Sequence, residues 1–310
     1  MKLFLKNIIS SFIPLKLISK NFNPVLLYHS VGYSSNFNNN IDHINLDILN
    51  SQLKSIQKYW KFVSIDEYVN AKNKKNLASI TIDDGYKNVI DESLHVFKNL
   101  NIPLTLFINS STFENKIFWR DKVRYIIDNN LVKTYISSSN LFNKNDIKNF
   151  YSISKNPKFN SIQVEKDLDK FLEESSIKID DKYKFCFNNK SYLIKDDLIT
   201  YGNHTANHYL LSSLSKEEQY QEILKCKNFI DNMDVNKSEV FSIPFGGIKS
   251  FNDDTLSNLE DLNYKKILNS SASLDRNKIS NQINRFMPKT FKIEKTLKEL
   301  FLKKIMQLVF

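Results

Sequence analysis

The feature that most constrains this chain is a short apolar run that stops at two adjacent aspartates. Leu77 to Ile82 consists of strand-forming residues with no helical period. Asp83 and Asp84 follow directly, and Gly85 then begins a turn. Two neighbouring carboxylates at a buried strand end repel each other and lose hydration, so both ionise only beside a cation. A bound metal would meet that need, with one carboxylate as ligand and the other left as a base. The same residues also suit an ordinary Asp-Asp-Gly turn.

A second pattern places two histidines at His204 and His208. On one helical turn, residues four apart point both imidazoles at a single site, as zinc ligands require. Together with Asp84 they make a set of one carboxylate and two imidazoles, which leaves coordination positions open for water and substrate. That number of ligands is typical of a catalytic metal rather than a structural one. The sequence therefore predicts one divalent ion, zinc or another first-row metal, at these three side chains.

Three stretches resemble the motifs of the polysaccharide deacetylases, the carbohydrate esterase family four or NodB-homology domain. Thr81 to Gly85 is similar to the family's T-F-D-D-G motif, and His204 to His208 is similar to its H-[ST]-x-x-H motif. Phe241 to Gly246 resembles the strand that ends in P-[YF]-G. The motifs occur in the family's order, and the resemblance covers roughly residues 24 to 288.

The resemblance implies a role for each matching residue of the first two motifs. Asp83 stands at the position of the family's general base, and Asp84, His204 and His208 stand at the positions of its metal ligands. The family removes N-acetyl groups from amino sugars. The resemblance therefore implies a metal-dependent hydrolase whose substrate is such a sugar.

The third motif and the late part of the chain depart from the family pattern. Pro244, Phe245 and Gly246 match the family's motif, and the resemblance makes the Phe245 N–H a donor to the developing oxyanion. Many members begin this strand with an arginine that tethers the catalytic aspartate, but Ser242 stands at that position. Arg285 is the residue that we expect to replace the tether. Its segment, Ile283 to Pro288, is at best the counterpart of the family's late L-x-H motif, and it contains no histidine to act as the acid.

An N-terminal element offers a replacement for that acid. Val25 to Gly32 has the pattern of a strand with a polar end, and it resembles the Y-H element of the exopolysaccharide deacetylases, a branch in which the order of elements is shifted. The resemblance makes His29 the residue that protonates the leaving amine. The alternative is a histidine that caps a strand edge. His43, in an Asn-rich loop, and His95, on a helix, are predicted to be structural.

The order of the predicted elements favours a parallel α/β fold. A helical pattern from about 86 to 100 follows the two aspartates, and Leu104 to Ile108 is another buried-strand run. The polar residues singled out above follow strand ends, where barrel enzymes place their sites. The family resemblance implies a distorted, incomplete (β/α) barrel with a helical insertion.

We expect three parts in the chain. Residues 24–290 form the catalytic domain, with the insertion at about 114–195. Within the insertion, Trp119 is expected either to stack on a sugar ring or to lie in the core. Residues 1–23 are an amphipathic basic segment, either a helix packed on the domain or on a membrane surface, or a poor signal sequence or anchor. Residues 291–310 are an amphipathic C-terminal helix.

The charge and the cysteines bear on partners and location. The net charge of +10 comes from lysines scattered among Asn and Asp along the whole chain, which does not indicate a nucleic-acid surface. Cys186 and Cys226 lack the spacing of a metal pair and are predicted to be unpaired, which favours a reducing compartment. We therefore expect a cytoplasmic protein that is peripheral at the inner membrane, with an exported or anchored protein as the alternative. The oligomeric state is not predicted.

These features predict an enzyme that removes an N-acetyl group from an amino sugar in a bacterial surface glycan or its precursor. The substrate is expected to be an N-acetylated glycan or a lipid-linked sugar. One alternative is removal of another group, such as formyl, from a lipid-linked amino sugar. A more distant alternative is a non-catalytic glycan-binding or assembly protein that retains the fold. Asp83 beside three predicted ligands argues against it, because a binding module needs no base.

Overall fold

Parallel strands form the centre of the computed structural model, which describes residues 13–33, 42–270 and 281–309. The strands, in chain order, are β1 (Val25–Tyr28), β2 (Ser30–Gly32), β3 (His43–Asn45), β4 (Lys61–Val63), β5 (Leu77–Ile82), β6 (Leu104–Ile108), β7 (Ile199–Asn203), β8 (Lys237–Ser242), β9 (Lys266–Asn269) and β10 (Gln282–Asn284). The α-helices are α1 (Leu15–Asn21), α2 (Leu46–Gln57), α3 (Ile65–Asn70), α4 (Leu94–Asn99), α5 (Trp119–Asp128), α6 (Val132–Ser138), α7 (Phe150–Ile153), α8 (Ser161–Glu174), α9 (Lys216–Asp231), α10 (Asp253–Asp261) and α11 (Ile293–Val309). Short 3₁₀ segments lie at Ser110–Glu114, Lys144–Asn149, Asp181–Tyr183, Lys190–Tyr192 and Leu211–Ser213.

Seven parallel strands follow one another around the sheet in the order β1, β5, β6, β7, β8, β9 and β10, and β4 pairs with the first half of β5. The two ends of this sheet nearly meet. Leu27 N donates to Phe286 O at 2.9 Å, and Phe286 N donates to Val25 O at 3.1 Å. The segment after β10 therefore runs beside β1. This nearly closed sheet, flanked by helices, confirms the predicted (β/α) barrel.

The strands before the two aspartates and behind the next helix have the predicted bounds. In β5 every residue after Leu77 is buried, and in β6 every residue is buried. Parallel strands covered on both faces need such continuous apolar runs. Because all the strands of the sheet point the same way, the residues after β1, β5, β7 and β8 gather at one end of the barrel.

Two local predictions are wrong. The helix expected over residues 86–100 is divided into a π-helical turn, Val89–Ser93, and the short helix α4. The Ser93 hydroxyl donates to Val89 O at 2.9 Å, and such a side-chain bond competes with the regular helical pattern. His43 lies on β3, not in a loop, with its Nδ1 2.9 Å from Ser30 Oγ.

The inserted helices α5 to α8 pack on the barrel through aromatic rings. The Tyr135 ring lies 5.4 Å from Phe150 and 5.3 Å from Phe171, measured between centroids, in edge-on contacts. These rings belong to one apolar cluster that also includes Phe241 of β8. Edge-on aromatic pairs add stabilisation beyond the buried area itself. The cluster thus fixes α5 at the rim of the barrel.

Both terminal helices lie against the barrel. Leu15 and Ile18 of α1 and Leu297 and Phe301 of α11 are buried in the same core cluster. Residues 1–12 of the predicted N-terminal segment lie outside the described residues. Within the described ranges, no helix combines the length and the apolar character that crossing a bilayer requires.

Candidate active site

The two aspartates lie where β5 ends, and the backbone turns sharply between them and the next helix. Asp84 has φ of 72° and Gly85 has φ of 66°, both in the left-handed region. An aspartate tolerates this conformation better than most residues, and glycine adopts it without strain. Asp83 and Asp84 are both buried and line the same pocket.

His204 and His208 follow β7, but the prediction that one helical turn carries them is wrong. The stretch is a loop, in which Thr205 has φ of 67° and His208 has φ of 58°. Positive φ values break the helical path, yet the loop still brings the two imidazole centroids to 4.7 Å from each other. The spacing therefore predicts the convergence of the rings but not the backbone that produces it.

Side chains from neighbouring strands hold this loop. Asn109 Nδ2, just after β6, donates to His204 O at 2.6 Å and to Thr205 O at 3.2 Å. Thr205 N donates to Asn203 Oδ1 at 2.8 Å, and His208 N donates to Thr205 Oγ1 at 2.9 Å. These hydrogen bonds stabilise the left-handed backbone of Thr205 and His208.

Glu222 of α9 binds the middle of the loop. Its carboxylate accepts from Asn207 N at 2.8 Å and from Asn207 Nδ2 at 2.6 Å, while Ala206 N donates to Glu222 O at 2.9 Å. Burial raises the pKa of the Glu222 carboxyl to about 6, although the two bonds from Asn207 oppose that shift. The sequence analysis did not find Glu222, because nothing local links a helical glutamate to a loop before it.

The three predicted metal ligands converge. Asp84 Oδ1 lies 3.4 Å from His204 Nε2 and 3.3 Å from His208 Nε2, and the three ligand atoms all lie within 4.8 Å of one another. With metal–ligand distances of about 2.0–2.1 Å, tetrahedral geometry separates ligand atoms by about 3.3 Å. Asp84 Oδ1 is buried and accepts no hydrogen bond from the described residues. The donor set and its spacing therefore fit a divalent metal.

The surroundings prepare these ligands for a cation. His204 Nδ1 lies 2.8 Å from Ser242 O, which leaves Nε2 as the coordinating nitrogen. Burial lowers the pKa of His208 well below its usual range, so this imidazole is neutral and able to coordinate. Burial alone would raise the pKa of the Asp84 carboxyl, but His208, His204 and His29 around it lower that pKa well below its ordinary value.

Asp83, the predicted base, forms an ion pair with Arg285. Arg285 Nη1 donates to Asp83 Oδ1 at 2.8 Å, and Nη2 donates to Oδ2 at 2.7 Å. Ser242 Oγ donates to Asp83 Oδ2 at 3.0 Å and accepts from Arg285 Nη2 at 2.9 Å. Burial opposes ionisation of Asp83, but Arg285 and then His204 outweigh it, so the pKa is lowered. Arg285 thus reaches Asp83 from the segment after β10, and Ser242 of β8 binds both side chains.

His29 lines the same pocket, and so do Ile243 and Phe245 of the third motif, whereas Pro244 and Gly246 are not in its lining. His29 follows β1 and contributes to the lowered pKa values of Asp83 and Asp84, while its own Nδ1 is buried without a hydrogen-bond partner among the described residues. After Pro244, Phe245 has φ of 62° and Gly246 has φ of 61°. A Cβ on Gly246 would lie 2.4 Å from Ser270 N, so only glycine fits this turn.

Of the two expectations for Trp119, the structure supports a place in the core. Trp119 is 2% exposed, and its Nε1 donates to His208 O at 3.1 Å. Its ring packs against Tyr209 and Phe245. Trp119 therefore supports the metal-ligand loop from behind and offers no face to a sugar.

The inserted helices add cations that the sequence analysis missed. Arg120, Arg124 and Lys155 line the pocket, together with Tyr151. The only sequence signal is the spacing of the two arginines, which places them on one face of α5. Charged residues on such a face are usually solvated, but here both arginines are buried.

Comparison with known proteins agrees with this geometry. A sequence model of the polysaccharide deacetylase family matches residues 190–267, which include His204, His208 and the third motif. This segment of the chain therefore resembles the polysaccharide deacetylases. A search of curated protein sequences finds no match. Asp83 and Asp84 lie outside the matched range, so their place beside the histidines is a finding of the structure.

Solved structures share the fold of this chain. The deacetylase PplD of Streptococcus pyogenes, solved with acetate, is 17% identical with a TM-score of 0.51, and the match covers 88% of this chain and 95% of PplD. IcaB from Ammonifex degensii is 14% identical with a TM-score of 0.53, and the match covers 91% of this chain and 97% of IcaB. At this identity the likeness concerns the fold alone. The match to the family model supports an enzyme of the amino-sugar deacetylase class.

Proposed function

We propose that this enzyme is a metal-dependent hydrolase that removes an N-acetyl group from an amino sugar in a bacterial surface glycan or its precursor. The observation that carries the proposal is the convergence of Asp84, His204 and His208 around one point, with Asp83 beside them. A binding protein would have no use for a buried carboxylate held ionised next to a metal site, because burying such a charge is costly.

A divalent metal at the three ligands would polarise the acyl carbonyl and lower the pKa of a bound water toward about 7. Asp83, ionised and oriented by Arg285, accepts the proton of the attacking water. The Phe245 N–H donates to the oxygen on which negative charge develops. His29 delivers a proton to the departing amine, so the products are a free amino sugar and acetate. Zinc is the metal that two imidazoles and one carboxylate suit best, and other first-row ions suit the same set.

The location of the reaction is part of the proposal. The barrel carries two terminal helices rich in lysine, α1 and α11, which lie beside each other with Lys304 Nζ 3.1 Å from Asn21 O. The apolar faces of both helices pack on the barrel, and the exposed lysines, such as Lys16, Lys20 and Lys295, favour contact with an anionic lipid surface. We therefore place the enzyme at the cytoplasmic face of the inner membrane, and its substrate is a glycan or a lipid-linked sugar.

The experiment is a panel of acylated amino sugars incubated with the zinc-loaded enzyme. N-acetylated oligosaccharides and lipid-linked N-acetyl sugars are compared with their N-formyl counterparts, and released acetate or formate is quantified. Acetate release that disappears in the His204→Ala variant supports the proposal. Release of formate without acetate would replace N-acetyl by N-formyl as the substrate group. Release of neither acid by the metal-loaded enzyme would overturn the hydrolase proposal.

A further inference from the structure

A cationic wall formed by Arg120, Arg124 and Lys155 lies in the pocket of the metal site. Arg120 and Arg124 stand on α5, and Lys155 follows α7, so all three belong to the predicted insertion. Buried cations are costly unless they are paired with negative charge. The groups that contact each cation therefore indicate whether its charge is balanced within the protein or by a bound ligand.

Arg124 is paired within the protein. Its Nη1 donates to Asp121 Oδ1 at 2.5 Å and to Tyr86 OH at 3.2 Å. Burial raises the pKa of Asp121 to about 7, although Arg124 opposes the shift. Asp121 is thus bound to Arg124, and within the described ranges no carboxylate forms an ion pair with Arg120 or Lys155.

Among the described residues, the hydrogen bonds of Arg120 go to neutral acceptors. Its Nη1 donates to Ser154 Oγ at 2.9 Å and its Nη2 to Tyr151 O at 3.1 Å. Its Nε is buried and has no hydrogen-bond partner among the described residues, and the side chain is only 1% exposed. A fully buried guanidinium therefore borders the pocket with one donor unused and no carboxylate bound to it.

Lys155 also has no ion-pair partner among the residues that the structure describes. Its Nζ lies 4.8 Å from the centre of the Tyr151 ring and 5.5 Å from that of Phe245, contacts that suit a cation but do not neutralise it. The Asp42 carboxylate in the same pocket is bound to Lys289 Nζ at 2.6 Å. Burial lowers the pKa of the Lys155 ammonium, and Tyr151 and Asp42 oppose this shift without cancelling it.

Arg120 and Lys155 both contact the ring of Phe245, and the same ring contacts the metal ligand His208. The Phe245 ring centroid is 5.6 Å from Arg120 Cζ and 4.5 Å from the His208 ring. A group bound by Arg120 and Lys155 would therefore belong to the sugar that carries the acylated nitrogen, or to its immediate neighbour. The wall and the metal site would hold two ends of one small substrate.

We propose that the substrate of this deacetylase carries a phosphate group, which Arg120 and Lys155 bind beside the metal site. The inference rests on the proposed deacylation and names the class of sugar that undergoes it. A phosphate matches the wall better than a carboxylate does. It presents several strong acceptor oxygens to an arginine and a lysine at once, and its charge of about −1 to −2 balances two cations.

The phosphate could come from a lipid carrier or from a soluble or polymeric sugar phosphate, and three substrates separate these sources. They are the methyl glycoside of N-acetylglucosamine, N-acetylglucosamine 1-phosphate and a long-chain alkyl phosphodiester of the same sugar. We expect kcat/KM at least about tenfold higher for the phosphorylated sugars than for the neutral glycoside. If kcat/KM is highest for the alkyl diester, the phosphate comes from a lipid carrier. If kcat/KM is equal for the alkyl diester and for N-acetylglucosamine 1-phosphate, the enzyme recognises the phosphate alone.

The decisive variant is Lys155→Gln, with Lys166→Gln as its control. Lys166 is an exposed lysine on α8 of the same insertion. We expect Lys155→Gln to reduce the ratio of kcat/KM for phosphorylated over neutral substrate at least tenfold, and Lys166→Gln to keep the ratio of the wild type. Calorimetry with inorganic phosphate and metal-depleted protein should show binding that weakens at least tenfold in Lys155→Gln, which also tests the wall independently of turnover.

Each failure has its own signature. Equal kcat/KM for neutral and phosphorylated sugars would overturn the phosphate inference and leave the deacetylase proposal intact. A preference for N-acetylmuramic acid, which carries a carboxylate, would also overturn it. Phosphate binding at the wall without hydrolysis of any acylated sugar would instead overturn the proposed function on which the inference rests.

Discussion

Arg285 and Asp83 are 202 residues apart in the sequence, yet both oxygens of the Asp83 carboxylate accept hydrogen bonds from the Arg285 guanidinium, at 2.8 and 2.7 Å. Both side chains are almost completely buried. Two parallel bonds of this kind fix the plane of a carboxylate as well as its charge. The segment that nearly closes the barrel therefore also positions the proposed base.

The pairing predicts a large coupling in stability. Arg285→Met leaves the buried Asp83 without its cation, so we expect the free energy of unfolding to fall by about 3–5 kcal/mol. In an Asp83→Asn background the same substitution should cost at least about 1 kcal/mol less, because no charge is then stranded. Urea unfolding of the four proteins measures this difference. Equal costs in both backgrounds would show that the pair is not coupled.

The roles of the two aspartates predict different losses. Asp83→Asn keeps the three metal ligands, so metal content should match the wild type while turnover falls at least about 100-fold. Metal analysis and acetate release on the same preparation check both halves. A rate within a few fold of the wild type would make Asp83 a turn residue rather than a base.

His29 is predicted to act as the acid. His29→Ala should bind metal normally and lose roughly 10²- to 10⁴-fold in turnover, the usual worth of a positioned acid or base. His95→Ala is the matched control, since His95 is exposed on α4. Turnover of His29→Ala equal to that of the control would leave the leaving amine without an identified proton donor.

The raised pKa of Glu222 predicts a pH effect on stability. A carboxyl that titrates at about 6 in the folded protein, against 4.5 ordinarily, binds its proton more tightly when folded. Stability therefore decreases as pH rises from about 4.5 to 6, by about 1–2 kcal/mol. Glu222→Gln does not titrate, so the wild type should lose stability relative to it over this interval. Urea unfolding at pH 4.5, 5.5 and 6.5 measures the difference, and a constant difference would contradict the assignment.

The parts of the site that lie close to a motif can be predicted from the sequence. The buried run of β5 ends at Asp83 and Asp84, and strand composition alone indicates that end. The spacing of His204 and His208 predicts that their rings meet. It cannot predict the loop, because the same spacing occurs in helices, and the left-handed residues here are stabilised by Asn109 from another element.

Contacts between distant elements are harder to predict. The family resemblance indicates Arg285 as the tether, but nothing near Arg285 in the sequence shows that its segment runs beside β1, and the bond to Asp83 depends on that closure. Likewise, the four-residue spacing of Arg120 and Arg124 on α5 is that of an ordinary solvated helix face. The packing of the inserted helices is what buries Arg120 against the pocket. Long-range packing thus determines the tether of the base and the cationic wall.

The central claim is that Asp84, His204 and His208 hold one divalent metal that deacetylation requires. The most direct test measures metal per chain and acetate release together, before chelation, after chelation and after zinc is restored. The account predicts about one zinc per chain, loss of acetate release on chelation and recovery with zinc, and neither metal nor activity in His204→Ala or His208→Ala, while His95→Ala keeps both. Acetate release that survives complete removal of metal, or unchanged metal content in both histidine variants, would contradict the claim.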